Sequence, residues 1–276
     1  MSYRIFIINL EKEKKKKEHM LQLCKKLNLK NVEIINAVNG QNMDDEFIDN
    51  IVSKEKTIKF MKRGFIKGEI GCLLSHKKIY EKMVKENIPN ALILEDDVEF
   101  DNTLYKALKL STNFPREAEF VFLGYWNADL KNINKMISFR GRHRLSSSLS
   151  LIRFTSNVHG NYGYFITKNG AKKLLKHLNK PLFMPIDHYT GDDKYINIYG
   201  VYPPVIHLSP KFSLNTEMEK GRQRERDTIQ TKEIQNKNRN SLKMLLKMIG
   251  LLKPVQITKQ EILSIIARSR KPKKYE

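Results

Sequence analysis

The sequence predicts an α/β protein with a mostly parallel central sheet, and three observations carry that expectation. First, "RIFIINL" (4–10), a helix-patterned stretch and "NVEIINAVNG" follow one another, and strand, helix, strand in that order argues a parallel βαβ unit. Second, "ALIL" (91–94) is an unbroken apolar run of the kind that is buried on both faces of a parallel sheet. Third, strand-like and helix-like segments keep alternating to about residue 210.

The elements follow in chain order. Helical spacing after the first strand rests on Met20, Leu23, Cys24 and Leu27, at i, i+3, i+4 and i+7. Residues 41–62 are polar and poorly patterned. Gly68 and Gly71 mark a turn, after which Cys72, His76, Ile79 and Met83 recur at helical spacing until "NIPN" stops the helix. "ALIL" then runs straight into Glu95, Asp96 and Asp97. "AEFVFLGYW" (118–126) is a further strand, and the basic segment 127–157 reads as a surface excursion. "GNYGYFITKNGAKKLLKHL" reads as a strand, a turn at Asn169-Gly170 and a helix. "PLFMPIDHYTGDDKYIN" and "VYPPVIHLSP" close this part, and no internal repeat is visible.

From residue 211 the character changes: 17 Lys and Arg against 7 Asp and Glu leave 17 − 7 = +10 on the last 66 residues. The expected division is a catalytic domain over 1–210 and a basic, partly flexible extension over 211–276. Within the extension, "NSLKMLLKMIGLL" (240–252) forms an amphipathic helix with Leu242, Leu245, Leu246 and Ile249 in one stripe.

The formal net charge of +21 suits nucleic acid, an anionic membrane surface or a phosphate-rich substrate. A lysine-rich genome would give the same charge, so charge alone selects none of them. Cys24 and Cys72 are too few for a disulfide framework or a zinc site and read as reduced, buried thiols of a cytosolic protein. The N-terminus lacks the order of a signal peptide, and no window approaches the roughly 20 apolar residues that span a bilayer. The expected protein is soluble or peripheral.

Three adjacent carboxylates at a strand end need partners or a cation. In an open parallel sheet, ligands bind outside the carboxyl ends of the strands, where Glu95, Asp96 and Asp97 fall. Continued extension would turn Glu95 and Asp97 to one side and Asp96 to the other. Oxygen-only ligands favour Mg²⁺ or Mn²⁺, commonly shared with a substrate's phosphates. The plain alternative is an acidic turn capping a strand.

Around that cluster, Gly68, Glu69, Gly71, Cys72, Ser75, His76, Pro89, Glu95, Asp96, Asp97 and Val98 stand in a spacing that closely resembles the signature block of glycosyltransferase family 25, the lipooligosaccharide-type glycosyltransferases. Asn9-Leu10, then Gly160, Gly163, Tyr164 and Thr167, then Pro185 and Asp187, resemble further blocks of that family in the same order. The resemblance runs to about residue 205. One departure is a lysine run, Lys12 and Lys14 to Lys17, where the family usually has arginines, losing the bidentate fork for phosphate.

The resemblance implies a GT-A type nucleotide-sugar-binding fold. It also implies a metal-dependent inverting transfer, often of galactose from a UDP-sugar, onto a bacterial lipooligosaccharide or lipopolysaccharide. On that basis Glu95 and Asp97 are the expected metal ligands, and Asp187 is the expected base, with a helix N-cap as its structural alternative. Asp192 and Asp193 are weaker candidates for the base. Glu69, Ser75, His76 and Asp96 are expected to face the donor, Ser75 and His76 from a helix start. Gly163 is expected to admit a ligand closely and Tyr164 to stack on uracil or sugar. His188 and His207 are possible additions to the metal shell.

The expected partners are a nucleotide sugar, a glycolipid or oligosaccharide acceptor and, through 211–276, an anionic membrane surface, with the protein peripheral on the cytoplasmic face of a bacterial inner membrane. Competing readings are a nucleic-acid-binding protein, for which no zinc spacing, RNP-like aromatic pair or basic zipper is present, a two-metal phosphohydrolase lacking a clear second ligand cluster, and an inactive relative.

Overall fold

The computed structural model describes residues 3–125, 138, 142–155, 157–212 and 221–224. Its centre is an eight-stranded sheet in the order β2-β1-β3-β8-β5-β9-β7-β6, flanked by helices on both faces. The strands are β1 Arg4–Asn9, β2 Val32–Asn36, β3 Asn90–Glu95, β5 Phe120–Gly124, β6 His143–Arg144, β7 Ser150–Ile152, β8 Gly163–Thr167 and β9 Ile198–Tyr202. A small second sheet pairs β4 (Val98–Phe100) with β10 (Ile206–Leu208).

β1 pairs in parallel with β2 and β3, as the βαβ reading expects, with α1 (Lys14–Lys26) as the crossover. β8 enters antiparallel between β3 and β5, β9 runs parallel to β5, and β7 is reversed against β9 and β6. Only β8 and β7 therefore oppose the common direction.

The two faces follow the period-2 pattern of buried strands. Phe6, Ile8 and Ile93 face one core with α4 (Lys67–Lys85), α6 (Lys168–Leu178) and α7 (Ile186–Thr190). Ile5, Ile7, Leu92 and Leu94 face the other, with α1 and α5 (Asn102–Lys109).

Four local expectations are corrected. Gly68 and Gly71 lie inside α4, which begins at Lys67; a Cβ on Gly71 would sit 2.6 Å from the Val38 carbonyl, so the glycine admits a close helix–loop contact. No turn separates β8 from α6, because Thr167 Oγ1 accepts the Gly170 N–H (3.1 Å) and caps the helix directly. Residues 41–62 hold two short helices, α2 (Asp45–Ile51), capped by Asp44, and α3 (Lys54–Met61), which ends at Lys62 with φ of 58°. β6 and β7 occupy part of the expected excursion 127–157. The amphipathic stretch 240–252 lies outside the described residues. Among the described residues no helix is long and apolar enough to cross a membrane.

Candidate active site at the end of strand β3

The chain does not stay extended through the acidic cluster. β3 ends at Glu95, residues 96 and 97 form a turn, and β4 starts at Val98, so the three carboxylates are separated by their partners, not by strand alternation. Asp96 accepts from Asn9 Nδ2 (2.7 Å) at the end of β1 and from Lys16 Nζ (3.2 Å) on α1. Lys16 is also 3.9 Å from Asp97. The Asp97 carbonyl accepts the Ser209 N–H (2.7 Å), fastening the turn to the end of β10.

Asp97 Oδ1 is buried and has no hydrogen-bond partner, which for a carboxylate oxygen is costly. Burial, then the Glu95 charge, push the Asp97 carboxyl up to about 7 despite Lys16. Glu95 Oε1 lies 3.4 Å from His76 Nε2 and 4.0 Å from Cys72 Sγ. Burial first, then the charges of Asp187 and Asp96, raise Glu95 to about 8, with Lys16 opposing. These two carboxyls fit a hard divalent cation: both are oxygen donors, one oxygen is orphaned, and a positive charge would relieve both shifts.

Asp187 sits in the first turn of α7, within electrostatic reach of Glu95, His76 and Cys72. It is not the helix cap, a position taken by Pro185. Burial raises its pKa, while His159, His76, Arg222 and the Asn161 backbone N–H pull it down. Asp192 instead closes a surface turn, accepting from the Lys194 N–H (3.0 Å) and pairing with its ammonium, and Asp193 is exposed.

Glu69 is buried and doubly paired. Arg63 meets both its oxygens, at 2.8 and 2.6 Å, and Arg222 Nε donates to Oε1 at 2.8 Å. Burial pushes the Glu69 carboxyl up, but the two guanidiniums outweigh it and hold it below the usual range.

Four of the residues expected to face the donor, Ser75, Tyr164, Gly163 and His76, are packed inside the fold. Ser75 lies well inside α4, buried, with Oγ donating to the Gly71 carbonyl (2.7 Å) and accepting the Val38 N–H (2.9 Å). Its hydroxyl ties the helix to the loop after β2. Tyr164 is fully buried, stacked on Phe120 with centroids 4.3 Å apart, so no ring face is open to uracil. Gly163 makes room for β10, since a Cβ there would lie 2.6 Å from Ile206 Cδ1.

His76 is also fully buried and within α4, not at its start. Nδ1 bonds to Tyr164 Oη (2.7 Å), which bonds to Tyr80 Oη (2.7 Å). Burial drives His76 down to about 4, so it is neutral. His188 packs against the rings of Phe60 and His159, and His207 stands opposite Glu99 in the small sheet.

Sequence reasoning missed five neighbours of these carboxylates. Asn9 carried a signal, as half of the Asn-Leu pair, and Lys16 lay in the run read as a loss of phosphate-binding arginines. Cys72 passed as a plain thiol. Arg63 and Arg222 carried none, the latter joining Glu69 from 153 residues away.

The sequence profile of glycosyltransferase family 25 (LPS biosynthesis protein) matches residues 2–190. The chain belongs to glycosyltransferase family 25. It is 31% identical over 202 residues to a glycosyltransferase 25 family member of Aedes aegypti, and 32% identical over 197 residues to one of Anopheles gambiae. Human procollagen galactosyltransferase 2 is 24% identical over 192 residues. Each alignment takes in 67% of this chain but only 29–30% of the relative, so this family 25 chain spans under a third of those proteins' length. The family match contains Glu69, Glu95, Asp97 and Asp187, whereas β9, β10 and Arg222 lie beyond it.

Proposed function

We propose that this family 25 chain transfers a hexose, galactose from UDP-galactose in the leading form, to a glycan hydroxyl with inversion at the anomeric carbon. The observation that carries the reading is Glu95 at the end of β3, within electrostatic reach of both Asp187 and Asp97, with all three carboxyls raised by burial.

Asp187 takes the proton of the acceptor hydroxyl as that oxygen forms its bond to the anomeric carbon. The bond from that carbon to the diphosphate breaks, and UDP leaves with the electron pair. A raised carboxyl makes a stronger base than an exposed aspartate, while His159, Arg222 and the Asn161 N–H favour its ionised form before the proton arrives. Glu95 and Asp97 would hold Mn²⁺ or Mg²⁺, which when bound supplies positive charge to the departing diphosphate. Asn9 and Lys16 fix Asp96, which stands between the two ligands in the chain.

The acceptor in this proposal is a lipooligosaccharide-type glycan, reached at the cytoplasmic face of a membrane. The family's description as an LPS biosynthesis protein supports it, and so does a charge of +21 facing a phosphate-bearing glycolipid. Pelleting with phosphatidylserine vesicles tests the membrane part. A chain ending at residue 239 retains Arg222, and equal binding by it and the full chain would remove the role of residues 240–276 at the membrane.

The transfer itself is tested by UDP release from a panel of UDP-sugars, with Mn²⁺ or EDTA, for the wild type and Asp97→Asn. Metal-dependent release from UDP-galactose, lost in the variant, is expected. Folded wild-type protein that binds no UDP-sugar by calorimetry in the presence of Mn²⁺ would overturn the reading.

A further inference from the structure

α4 carries Cys72 and His76 four residues apart, one helical turn, on the face that meets the end of β3. There Glu95 completes a cluster whose three ligand atoms all lie within 4.8 Å of one another. Oε1 is 3.4 Å from Nε2 and 4.0 Å from Sγ. Donors around a tetrahedral ion with zinc-type bond lengths lie roughly 3.3–3.8 Å apart. The Oε1–Nε2 distance falls in that range, and Cys72 Sγ must move inward to close the set.

The imidazole is held for such a role. Its Nδ1 faces Tyr164 Oη, which is itself bonded to Tyr80 Oη. With Nδ1–H donating into that relay, Nε2 turns its lone pair toward Glu95, the outer arrangement that fixes the tautomer of metal-bound histidines. Thiolate, imidazole and carboxylate together select borderline-soft ions over Mg²⁺ or Ca²⁺.

We propose that Cys72, His76 and Glu95 form a three-ligand site for a zinc-type ion, leaving its fourth position open. This is chemically distinct from the oxygen-only pair Glu95 and Asp97, yet shares Glu95 with it. An ion held by Cys72 and His76 therefore withdraws Glu95 from the donor's cation, and zinc competes with Mn²⁺ for the chain. Binding releases the Cys72 thiol proton to solvent, together with the carboxyl proton of Glu95 where that group is protonated. The site itself needs no sugar transfer; only its competition with Mn²⁺ rests on the proposed Glu95 and Asp97 pair.

Co²⁺ titrated into the full chain is the probe, because a cobalt–thiolate bond gives an intense near-ultraviolet charge-transfer band that oxygen ligands do not. The expected result is one Co²⁺ per chain with that band, bleached by Zn²⁺, absent in Cys72→Ser and kept in Cys24→Ser and Asp97→Asn. No band in the wild type, or a band that survives Cys72→Ser, would overturn the site. Loss of the band in Asp97→Asn would do the same, by making Asp97 a ligand that the three-residue set does not include. A second measurement needs no variant: maleimide labelling of Cys72, mapped by mass spectrometry, should slow at least tenfold with one equivalent of Zn²⁺. An unchanged labelling rate would also overturn it.

Discussion

Replacing Glu69 with Gln should destabilise this fold more than any exposed charge change, and the size follows from its partners. Three charge-assisted hydrogen bonds of 2.6–2.8 Å converge on a carboxylate whose side chain is 2% exposed. The Arg63 side chain is itself only 11% exposed, so its charge has little access to water once the carboxylate is gone. Gln would turn an NH₂ toward one guanidinium and leave two cations facing each other. Removing one partner of a buried pair costs about 3–5 kcal/mol. For a domain of this size that corresponds to a drop in melting temperature of roughly 6–20 °C. Thermal melts at pH 7.5, followed by circular dichroism, measure it directly. Arg222→Ala should cost less, about 1–2 kcal/mol, because the two-point Arg63 pairing survives. A Glu69→Gln chain melting within 2 °C of the wild type, on the order of the smallest shift expected per kcal/mol, would refute the argument. It would mean that the two guanidiniums are solvated and the pairing contributes little.

Asp187→Asn should lower turnover by roughly 10²–10⁴-fold while leaving UDP affinity within a few-fold; single-turnover rates and calorimetry separate the two, and near-normal turnover would remove Asp187 as the base. Mn²⁺ affinity should climb between pH 6 and 9, because protons on Asp97 (about 7) and Glu95 (about 8) must leave before the ion binds. The charges and dipoles facing that pair are Lys16, Asp96, Asp187, His76, Cys72 and Tyr162, and a flat affinity across the range would contradict the shifts. The sign for stability is opposite. Both carboxyls are raised on folding, so their contribution is complete below about pH 4 and is lost as pH rises through 7 to 8; Glu95→Gln should flatten that loss in metal-free melts. Gly191→Ala would place a Cβ 1.7 Å from the Val158 carbonyl oxygen and 2.7 Å from that of Asp187. Backbone atoms cannot step aside cheaply, so urea unfolding should show a loss of about 2–3 kcal/mol; less than roughly 0.5 kcal/mol, the scale of an ordinary surface change, would show that α7 shifts freely.

The parts of the fold that could be read directly were those whose signal is local. β1, α1, β2 and β3 announce themselves through buried runs and one clear helical period, and the parallel pairing of β1 with β2 followed from their order. What misled was residue type without environment. Ser75, His76 and Tyr164 read as contacts to a sugar nucleotide, and their motif gave no information on which side of α4 or β8 they face. The structure turns all three inward, where they hold helix to loop and helix to sheet. Gly71 looked like a turn because Val38, the atom group that demands a glycine there, is far away in sequence. Glu95, Asp97 and Asp187 were legible as acidic groups in a recognisable pattern. The partners that set their charge states, Lys16 and Arg222 among them, depend on tertiary approach that no local pattern encodes.

The strap formed by β4 and β10 bears on how the molecule comes to be folded. Ser209 reaches back across 110 residues to Glu99, and its backbone N–H holds the carbonyl of Asp97. Closing so long a loop must be preceded by its entropic cost, and such distant pairings belong to the slow part of folding. On a ribosome, the acidic turn therefore emerges early but is fastened only after β10 has been synthesised. A nascent chain halted at residue 190, where the family match ends, would already contain every carboxylate assigned to chemistry. It would lack β9 and β10, and the turn would remain without its anchor.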